Sequence, residues 1–593
     1  MNILLVYPAM PPSFWSFSYA LRLIGKKAAM PPLSLLTVAG LIPRGEHDIR
    51  LVDLNVRDLS DADLAWSDAV FISAMIVQRD SFHEVARRAR QAGKITVAGG
   101  PYPTSYVGSD ELRDVDYLVL DEVEETLHGF LNDLDRGTAA CVYRASRKPP
   151  ITLSPVPRYD LIDLDDYTSM LVQFSRGCPK NCEFCDITKL YGRVPRTKAP
   201  GQVLTELGQL YNLGWQGHVF FVDDNFVGNW RAALELMPFL IEWQAERGFP
   251  FSFTTEASID IVRHPALLEA MAAARFEEVF VGIETPSIEA LRTMKKHQNI
   301  ARGDPQFLER AVRALQGYGF EVMAGFILGV DDEPENPFDP MIEFIQEAGI
   351  PMATVSLQAV LPGTDLEKRL GREGRLRGDT TGTNFELVLN YVPQKDPALL
   401  IEGYERVLDT IYDARLEMYF GRCLTLMTRL RRRHWPKSRW APSWIRALPT
   451  LLWTVPREIP SEIAVSALKF LVRVLRRHPK FLPEALVYIA KGHHLRQMTE
   501  QLLISEAFEV CVERELRAIV AELARCAALQ VRDMEEHVRA YLEEHLALLR
   551  CEYAKVHADF KYRTARSVQR FFVTIKTELR CFGIVHGVEL EKF

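Results

Sequence analysis

At 593 residues the chain is too long for one domain, and its length suggests about three or four. A hydrophobic content of 48% and a charged content of 25% are ordinary for a folded water-facing protein. The net charge of −7 carries no global nucleic-acid signature. Met1-Asn2-Ile3-Leu4-Leu5-Val6-Tyr7 lacks a basic leader region and Pro8 follows at once, so no signal peptide is expected. No uninterrupted run of eighteen apolar residues is present, so no transmembrane helix is expected.

Residues 1–140 alternate strand-like and helical patterns. The strand-like runs are Ile3–Tyr7, Ile49–Val52, Ala69–Ser73, Ile95–Ala98 and Tyr117–Leu120. Helical stretches lie between them, such as Ser81–Ala92 with its stripe of Phe82, Val85, Ala86 and Ala89. This alternation predicts a parallel, doubly wound, Rossmann-like sheet, whose ligands sit at the carboxyl ends of strands. Three strand ends stand out: Asp53-Leu54-Asn55, Ser73-Ala74-Met75 and Gly99-Gly100-Pro101. Each alone reads as a turn; three on consecutive strands suggest a bulky ligand approached closely by backbone. Residues 141–167 read as a linker, broken by Lys148-Pro149-Pro150, Pro155 and Pro157.

From 168 to 375 the alternation resumes. Six strand candidates are Leu171–Phe174, His218–Val222, Phe251–Glu256, Glu278–Ile283, Val322–Leu328 and Thr354–Ala359. They predict a partial (β/α)6 barrel with its site at the carboxyl ends of the strands. The first strand runs into Cys178-Pro-Lys-Asn-Cys182-Glu-Phe-Cys185. Three of the nine cysteines fall within eight residues, on a polar loop where thiolates can grip one soft metal centre. A structural zinc would want a fourth Cys or His close by, and the next histidine is His218 on a strand. Three cysteines instead suit a cubane iron–sulfur cluster with one iron left open. Later strand ends carry Asp223-Asp224, Glu256 and Glu284, then Gly325, Ile327 and Gly329, then Leu361-Pro362-Gly363-Thr364. A single acid there is often only a helix cap, but four acids around one mouth argue for a site. The other cysteines (141, 423, 511, 526, 551 and 581) are scattered, with no disulfide framework, which fits a reducing cytoplasm.

Residues 376–593 read as an all-α domain that caps the barrel mouth. Between Glu417 and Glu458 there is no acid, while Arg422, Arg429, Arg431–Arg433, Lys437, Arg439 and Arg446 mix with Trp435, Trp440, Trp444 and Trp453. Such a segment, 418–457, suits peripheral contact with an anionic inner membrane face, and equally a basic groove or a packed helical cap. No nucleic-acid partner is expected, because no readout motif accompanies the charge.

The C-x3-C-x-Φ-C loop with Phe184, the G-x-I-x-G run at Gly325, Ile327 and Gly329, and the Pro-Gly-Thr after the sixth strand together resemble the radical SAM family. The Ser73-Ala74-Met75 and Gly99-Gly100 strand ends resemble the cobalamin-binding domain family. There the match departs at Asp53-Leu54-Asn55, which places Asn55 where that family has histidine. The resemblance thus implies a cobalamin-dependent radical SAM enzyme whose cobalt has no histidine ligand. It implies that the loop Met75-Ile76-Val77-Gln78 covers the lower cobalt face. It implies a [4Fe–4S] cluster on Cys178, Cys182 and Cys185 whose open iron binds S-adenosylmethionine. Asp223 or Asp224 would meet the methionyl amine, Glu256 and Glu284 the amine or ribose hydroxyls, and Gly325, Ile327 and Leu361 would cradle adenine. Asp53, Asn55, Ser73, Met75, Gly99 and Gly100 would form the cobalamin site. An electron donor of flavodoxin or ferredoxin type is implied as a partner. The commonest outcome in this family is transfer of a methyl group to an unactivated carbon; ring formation or oxidation without methyl transfer is the alternative reaction, and a non-catalytic cobalamin or cluster sensor the alternative class. Phe14-Trp15-Ser16-Phe17, Lys26-Lys27, Pro31-Pro32-Leu33, Val52–Val56, Phe174–Cys178 and Phe221–Phe226 resemble the subgroup that includes the hopanoid C-2 methylase, whose substrates include hydrophobic molecules.

Overall fold

The structure, a computed structural model, describes residues 1–383, 387, 389–431, 457–529 and 534–581, without the side chains of 534, 535, 562 and 566. Two compact units divide it, Met1–His494 and Leu495–Phe593.

The first unit contains two parallel sheets. One has six strands: β1 (Asn2–Tyr7), β2 (Asp48–Asp53), β3 (Ala69–Ser73), β4 (Ile95–Gly99), β5 (Tyr117–Leu120) and β6 (Val142–Arg144), in the order β2-β1-β3-β4-β5-β6. Alternate residues of β1 enter different cores. Ile3 and Leu5 join Phe71 and Phe130 on one face, whereas Leu4 and Val6 join Ile72 and Phe82 on the other. A strand covered on both faces must be apolar throughout, which is why β1 and β3 read as unbroken hydrophobic runs. The strand order reverses between β1 and β3, the place where a doubly wound sheet opens a crevice at its carboxyl ends. Strand β6 lies inside the stretch read as a linker. It is a three-residue edge strand with exposed Val142 and Arg144, so it carries no hydrophobic signal. Within the same stretch Ile151, Tyr159 and Tyr167 are buried, and the Tyr159 hydroxyl donates to the Leu171 carbonyl at 2.6 Å.

The second sheet comprises β7 (Ser169–Val172), β10 (His218–Phe221), β11 (Ser252–Glu256), β12 (Phe276–Glu284), β13 (Glu321–Leu328) and β14 (Ala353–Leu357). All pair parallel in sequential order, giving the open six-stranded barrel wall. A two-stranded ribbon, β8 (Ser175–Arg176) with β9 (Arg196–Thr197), brackets the cysteine loop.

Beyond β14 the described residues form helices and the loops that join them. Residues 390–400 pass the carboxyl ends of the strands, where the Tyr391 hydroxyl donates to the Gly329 carbonyl at 2.5 Å. The helices Pro397–Ile411 and Glu417–Arg429 pack at the other end of the sheet. Tyr412 donates to the Ala353 carbonyl at 2.8 Å, and buried Arg422 to the Ile350 carbonyl at 2.8 Å, both at the amino end of β14. Lys491, in the helix that starts at Leu482, reaches the opposite end of the barrel from the mouth. It pairs there with Glu278 at 2.7 Å and Glu321 at 3.4 Å. Burial opposes ionisation of Glu278, but Lys491 and His218 outweigh it and hold the carboxyl below its usual range. This buried knot closes the floor of the barrel with polar groups at the early positions of β12 and β13.

The second unit is helical, with Leu502, Phe508, Val512 and Ile519 buried along one helix and Val538, Leu542, Leu546 and Leu549 along the next. That second set recurs at spacings of three and four residues, the period of a helix with one apolar face. The basic and tryptophan-rich segment expected to touch membrane lies outside the described residues from 432 to 456. No helix among the described residues is long and apolar enough to cross a membrane.

Candidate active site

The cysteine loop is shaped by Gly177 and Asp223. Gly177 has φ +96°, and a Cβ there would meet the carbonyls of Gly192, Val194 and Tyr191 at 3.0–3.2 Å. The next amide, Cys178, donates to the Gly192 carbonyl at 3.1 Å. A side chain at 177 would be strained by its backbone and crowded by three carbonyls held in place. Gly177→Ala should cost about 1–3 kcal/mol and release the loop, read as a lower melting temperature and lower iron content after anaerobic reconstitution; unchanged iron content would contradict this account of the loop. Glu183, between the second and third cysteines, is fastened on both backbone sides. Its amide donates to Met294 at 3.0 Å and its carbonyl accepts from Leu366 at 2.9 Å. Its buried carboxylate joins Arg369, which also holds Asp331. Phe184 packs against the apolar cluster of Ala290, Met294 and Val330, beside Ile327.

All three cysteines are free thiols and half-buried. Burial pushes the Cys178 and Cys185 thiols up. Such a thiol sheds its proton only when a cation takes its place, so the loop suits a metal centre and not a free reactive thiolate. Two side-chain amides reach the sulfurs: Asn225 Nδ2 lies 3.7 Å from Cys178 Sγ, and Gln298 Nε2 3.3 Å from Cys182 Sγ.

Three carboxylates gather beside this loop. Both oxygens of Asp223 are taken up by the protein. They accept from the Phe174 and Ser175 amides, each at 2.8 Å, and from the Ser175 hydroxyl at 2.6 Å. Asp224 accepts from the Gly177 amide at 2.7 Å. Glu256, at the end of β11, has Asp224 and Asp223 as its charged neighbours. Burial, then mutual repulsion, pushes Asp223 up to about 7 and Glu256 up to about 7. Asp224 rises to about 6, also through burial, although Arg176 draws it down. Three acids crowded out of water attract a cation.

A pH dependence follows. These carboxyls hold protons in the folded protein between the ordinary carboxylate range and about pH 7, where the unfolded chain has released them. Their contribution to stability is therefore present at low pH and lost as pH rises through about 6 to 7. The cofactor-free protein should lose less stability over that rise when Glu256 is replaced by Gln, as read from paired melts at about pH 5.5 and 8. Equal pH sensitivity of wild type and variant would contradict the crowding.

Glu284 ends β12 with φ +64° and pairs with buried Lys296. Gly282 makes room for the pair: a Cβ there would fall 2.4 Å from Lys296 Nζ. Burial works against the charge on Lys296, but Glu284 and then Cys182 raise its affinity for the proton. Glu284 is thus engaged by a protein cation, unlike Glu256. Gly325 lies beside it, with Phe280 Cζ 3.1 Å and Glu284 Oε2 3.9 Å from where a Cβ would sit. Leu361 is partly buried and packs against the core of the front sheet that contains Ile76 and Tyr102.

At the front sheet's carboxyl edge the three loops differ in kind. Asp53 and Asn55 are consumed by the protein. Asn55 Oδ1 accepts from the Met10 amide at 2.7 Å, its Nδ2 donates to Asp53 at 2.7 Å, and Tyr167 donates to the other Asp53 oxygen at 3.0 Å. An amide so engaged is no metal ligand, in keeping with the departure from histidine. Met75 is 39% exposed, a large apolar side chain left open before the short turn Ile76–Gln78. Gln78 is buried and donates to the Pro8 carbonyl at 2.6 Å, tying the ends of β1 and β3 at the switch point. Gly99 and Gly100 are explained by packing of the protein itself, since a Cβ would strike the Val119 and Ala74 carbonyls at 2.8 and 2.9 Å. What suits a flat apolar cofactor here is the position at the switch point and the open Met75 side chain.

Sequence reasoning missed the side chains that join the two sheets. Arg176, two residues before Cys178, pairs with Glu122 at 2.7 Å and Glu124 at 2.9 Å, both from the loop after β5. Arg196 of β9 holds the same Glu122 at 2.7 Å. The only signal was a run of acids, Asp121-Glu122-Val123-Glu124-Glu125, at a strand end where an apolar sheet would not need them. Lys296 and Gln298 were missed as well; they lie in a polar run, Lys295-Lys296-His297-Gln298-Asn299, without periodicity.

Comparison with known proteins agrees with this architecture. Residues 26–131 match the B12 binding domain, residues 172–374 the radical SAM superfamily, and residues 364–506 a domain of unknown function. The chain is 44% identical over 414 residues to an uncharacterized methyltransferase of Synechocystis, covering 70% of this chain and 76% of that one. It is 39% identical over 432 residues to the hopanoid C-2 methylase of Rhodopseudomonas palustris, covering 70% and 81%. It is 25% identical over 410 residues to the bacteriochlorophyllide d C-12(1)-methyltransferase of Chlorobaculum tepidum, covering 67% and 85%. The fold and site define a radical enzyme with a cobalamin domain in front of its barrel. The chain belongs to the cobalamin-dependent radical SAM methylases, whose cofactors are a [4Fe–4S] cluster, S-adenosylmethionine and cobalamin.

Proposed function

We propose that this enzyme methylates an unactivated carbon of an apolar small molecule. The observation that carries the reading is the placement of three free cysteines beside an acid group in which Glu256 has only carboxylates as charged neighbours. Cys178, Cys182 and Cys185 would hold the cluster. With Asp223 committed to Phe174 and Ser175, Asp224 and Glu256 are the acids left for the methionyl ammonium, through charge-assisted hydrogen bonds. Lys296, balanced by Glu284, offers a cation for the methionyl carboxylate. Gly325, Ile327 and Leu361 would cradle adenine, Leu361 with one side against the core of the front sheet. Ser73, Met75, Gly99 and Gly100 bound the cobalamin site; Asp53 and Asn55 hold its rim.

When bound, these cofactors supply the radical that removes a hydrogen atom from substrate and the methyl group that replaces it. The protein's part is placement and exclusion of water. Trp15, from the loop after β1, packs edge-on against Phe280 at 5.1 Å. Phe280 projects from the strand face opposite fully buried Val279 and Val281. An aromatic wall shared by the two sheets suits an apolar substrate, as does the likeness to a hopanoid methylase. Electrons come from a flavodoxin- or ferredoxin-type donor.

The test is isotopic. Cells expressing the enzyme and fed methyl-deuterated methionine should accumulate an apolar metabolite carrying one intact CD3 group, absent with Cys182→Ala. A new metabolite without the label would overturn methyl transfer in favour of cyclisation or oxidation.

A further inference from the structure

The amides of buried Asn225 and half-buried Gln298 have no role in the acid group or the barrel floor, yet both point at cluster-loop sulfurs. The orientation of Asn225 is fixed. Its Oδ1 accepts from the Ser258 amide at 3.1 Å, so its other terminus, Nδ2, must face Cys178 Sγ at 3.7 Å. Gln298 Nε2 approaches Cys182 Sγ at 3.3 Å from a short turn, His297–Asn299. That turn is pinned by Asn299, whose Nδ2 donates to the Gly282 and Ile283 carbonyls, each at 2.9 Å. Asn225 Nδ2 also donates to the Ser258 hydroxyl at 3.1 Å, leaving its second N–H for the sulfur, and toward sulfur each amide nitrogen acts as a donor. Donors to thiolate sulfur stabilise the more negative state of an iron–sulfur cluster and so raise its reduction potential.

We infer that Asn225 and Gln298 set the potential at which the cluster on Cys178, Cys182 and Cys185 accepts its electron. This rests on the assignment of those cysteines to the cluster. In the step concerned, one electron from a low-potential donor reduces the cluster from the 2+ to the 1+ state, and no bond is made or broken. The two amides oppose the depression expected from three crowded carboxylates nearby. They are positioning residues that act through the thiolates.

The experiment is a redox titration of the reconstituted full chain, followed by the electron paramagnetic resonance signal of the reduced cluster. Gln298→Leu should lower the reduced-to-oxidised ratio at fixed potential about threefold. Gln298→Glu, which adds a negative charge, should lower it about tenfold, or 59 mV for one electron. Asn225→Met should move it in the same direction as Gln298→Leu. Iron content and the melting temperature establish that each variant is folded and loaded, and the two sites are independent should one fail. Midpoints unmoved in the loaded variants would overturn this inference and leave the cluster assignment standing. A wild-type chain that takes up no cluster would overturn both.

Discussion

Replacing Arg176 by Met should destabilise the first unit by about 3–5 kcal/mol, the range for removing one partner of a buried ion pair. Arg176 is 13% exposed, and Glu122 and Glu124 are 2% and 3% exposed. Burial works against the guanidinium charge, but Glu124 and Glu122 outweigh it and hold the proton more firmly than usual. Arg196 would still serve Glu122, whereas Glu124 would be left with the Ser154 hydroxyl at 2.6 Å. The loss should appear in denaturant unfolding as a lower midpoint. It should also appear as weaker cobalamin binding, because the same arginine couples the loop after β5 to the cysteine loop. Arg176→Lys keeps the charge without the fork and should lose less. A stable Arg176→Met protein with unchanged cobalamin affinity would show that the two sheets are held together by other contacts.

The second large effect concerns Glu256. Glu256→Gln removes a carboxylate that has no basic neighbour of its own, and so should fall mainly on cosubstrate binding. A charge-assisted hydrogen bond is worth about 1.5–3 kcal/mol, equivalent to a rise of roughly 10- to 150-fold in KM for S-adenosylmethionine. Cluster content should be unaffected, since Glu256 makes no hydrogen bond that shapes the cysteine loop, in contrast to Asp223. Asp223→Ala should instead lose the cluster along with activity, by leaving the buried Phe174 and Ser175 amides unpaired. If the two variants behaved alike, the division between an acid that builds the loop and an acid that meets the cosubstrate would be wrong.

Much of this was legible in the chain. The six barrel strands and five of the front strands lie within two residues of their sequence-based positions, because parallel strands buried on both faces leave apolar runs that stand out against helical periodicity. The cysteine spacing and the strand-end acids were legible for a different reason: they are chemically specific at short range. What escaped was long-range polar pairing. Arg176 and Glu122 are 54 residues apart, Lys491 and Glu278 are 213 apart, and Gln298 and Cys182 are 116 apart. No local pattern marks such partners. Leu361 illustrates the same gap in an apolar residue, since only the folded chain shows it packing on the front sheet. The helices after β14 read correctly as helices, but the pairing of Lys491 with Glu278 and Glu321 at the barrel floor was not legible, since this lysine resembles any other in an amphipathic stretch.

The cysteine loop and its neighbouring acids are placed to cleave S-adenosylmethionine reductively, and 5′-deoxyadenosine formed by the anaerobically reconstituted full chain with dithionite as the reductant reports that cleavage. Wild type should form 5′-deoxyadenosine and Cys182→Ala none. Its absence from a wild-type protein carrying a reducible cluster, or its persistence in Cys182→Ala, would contradict reductive cleavage at this site.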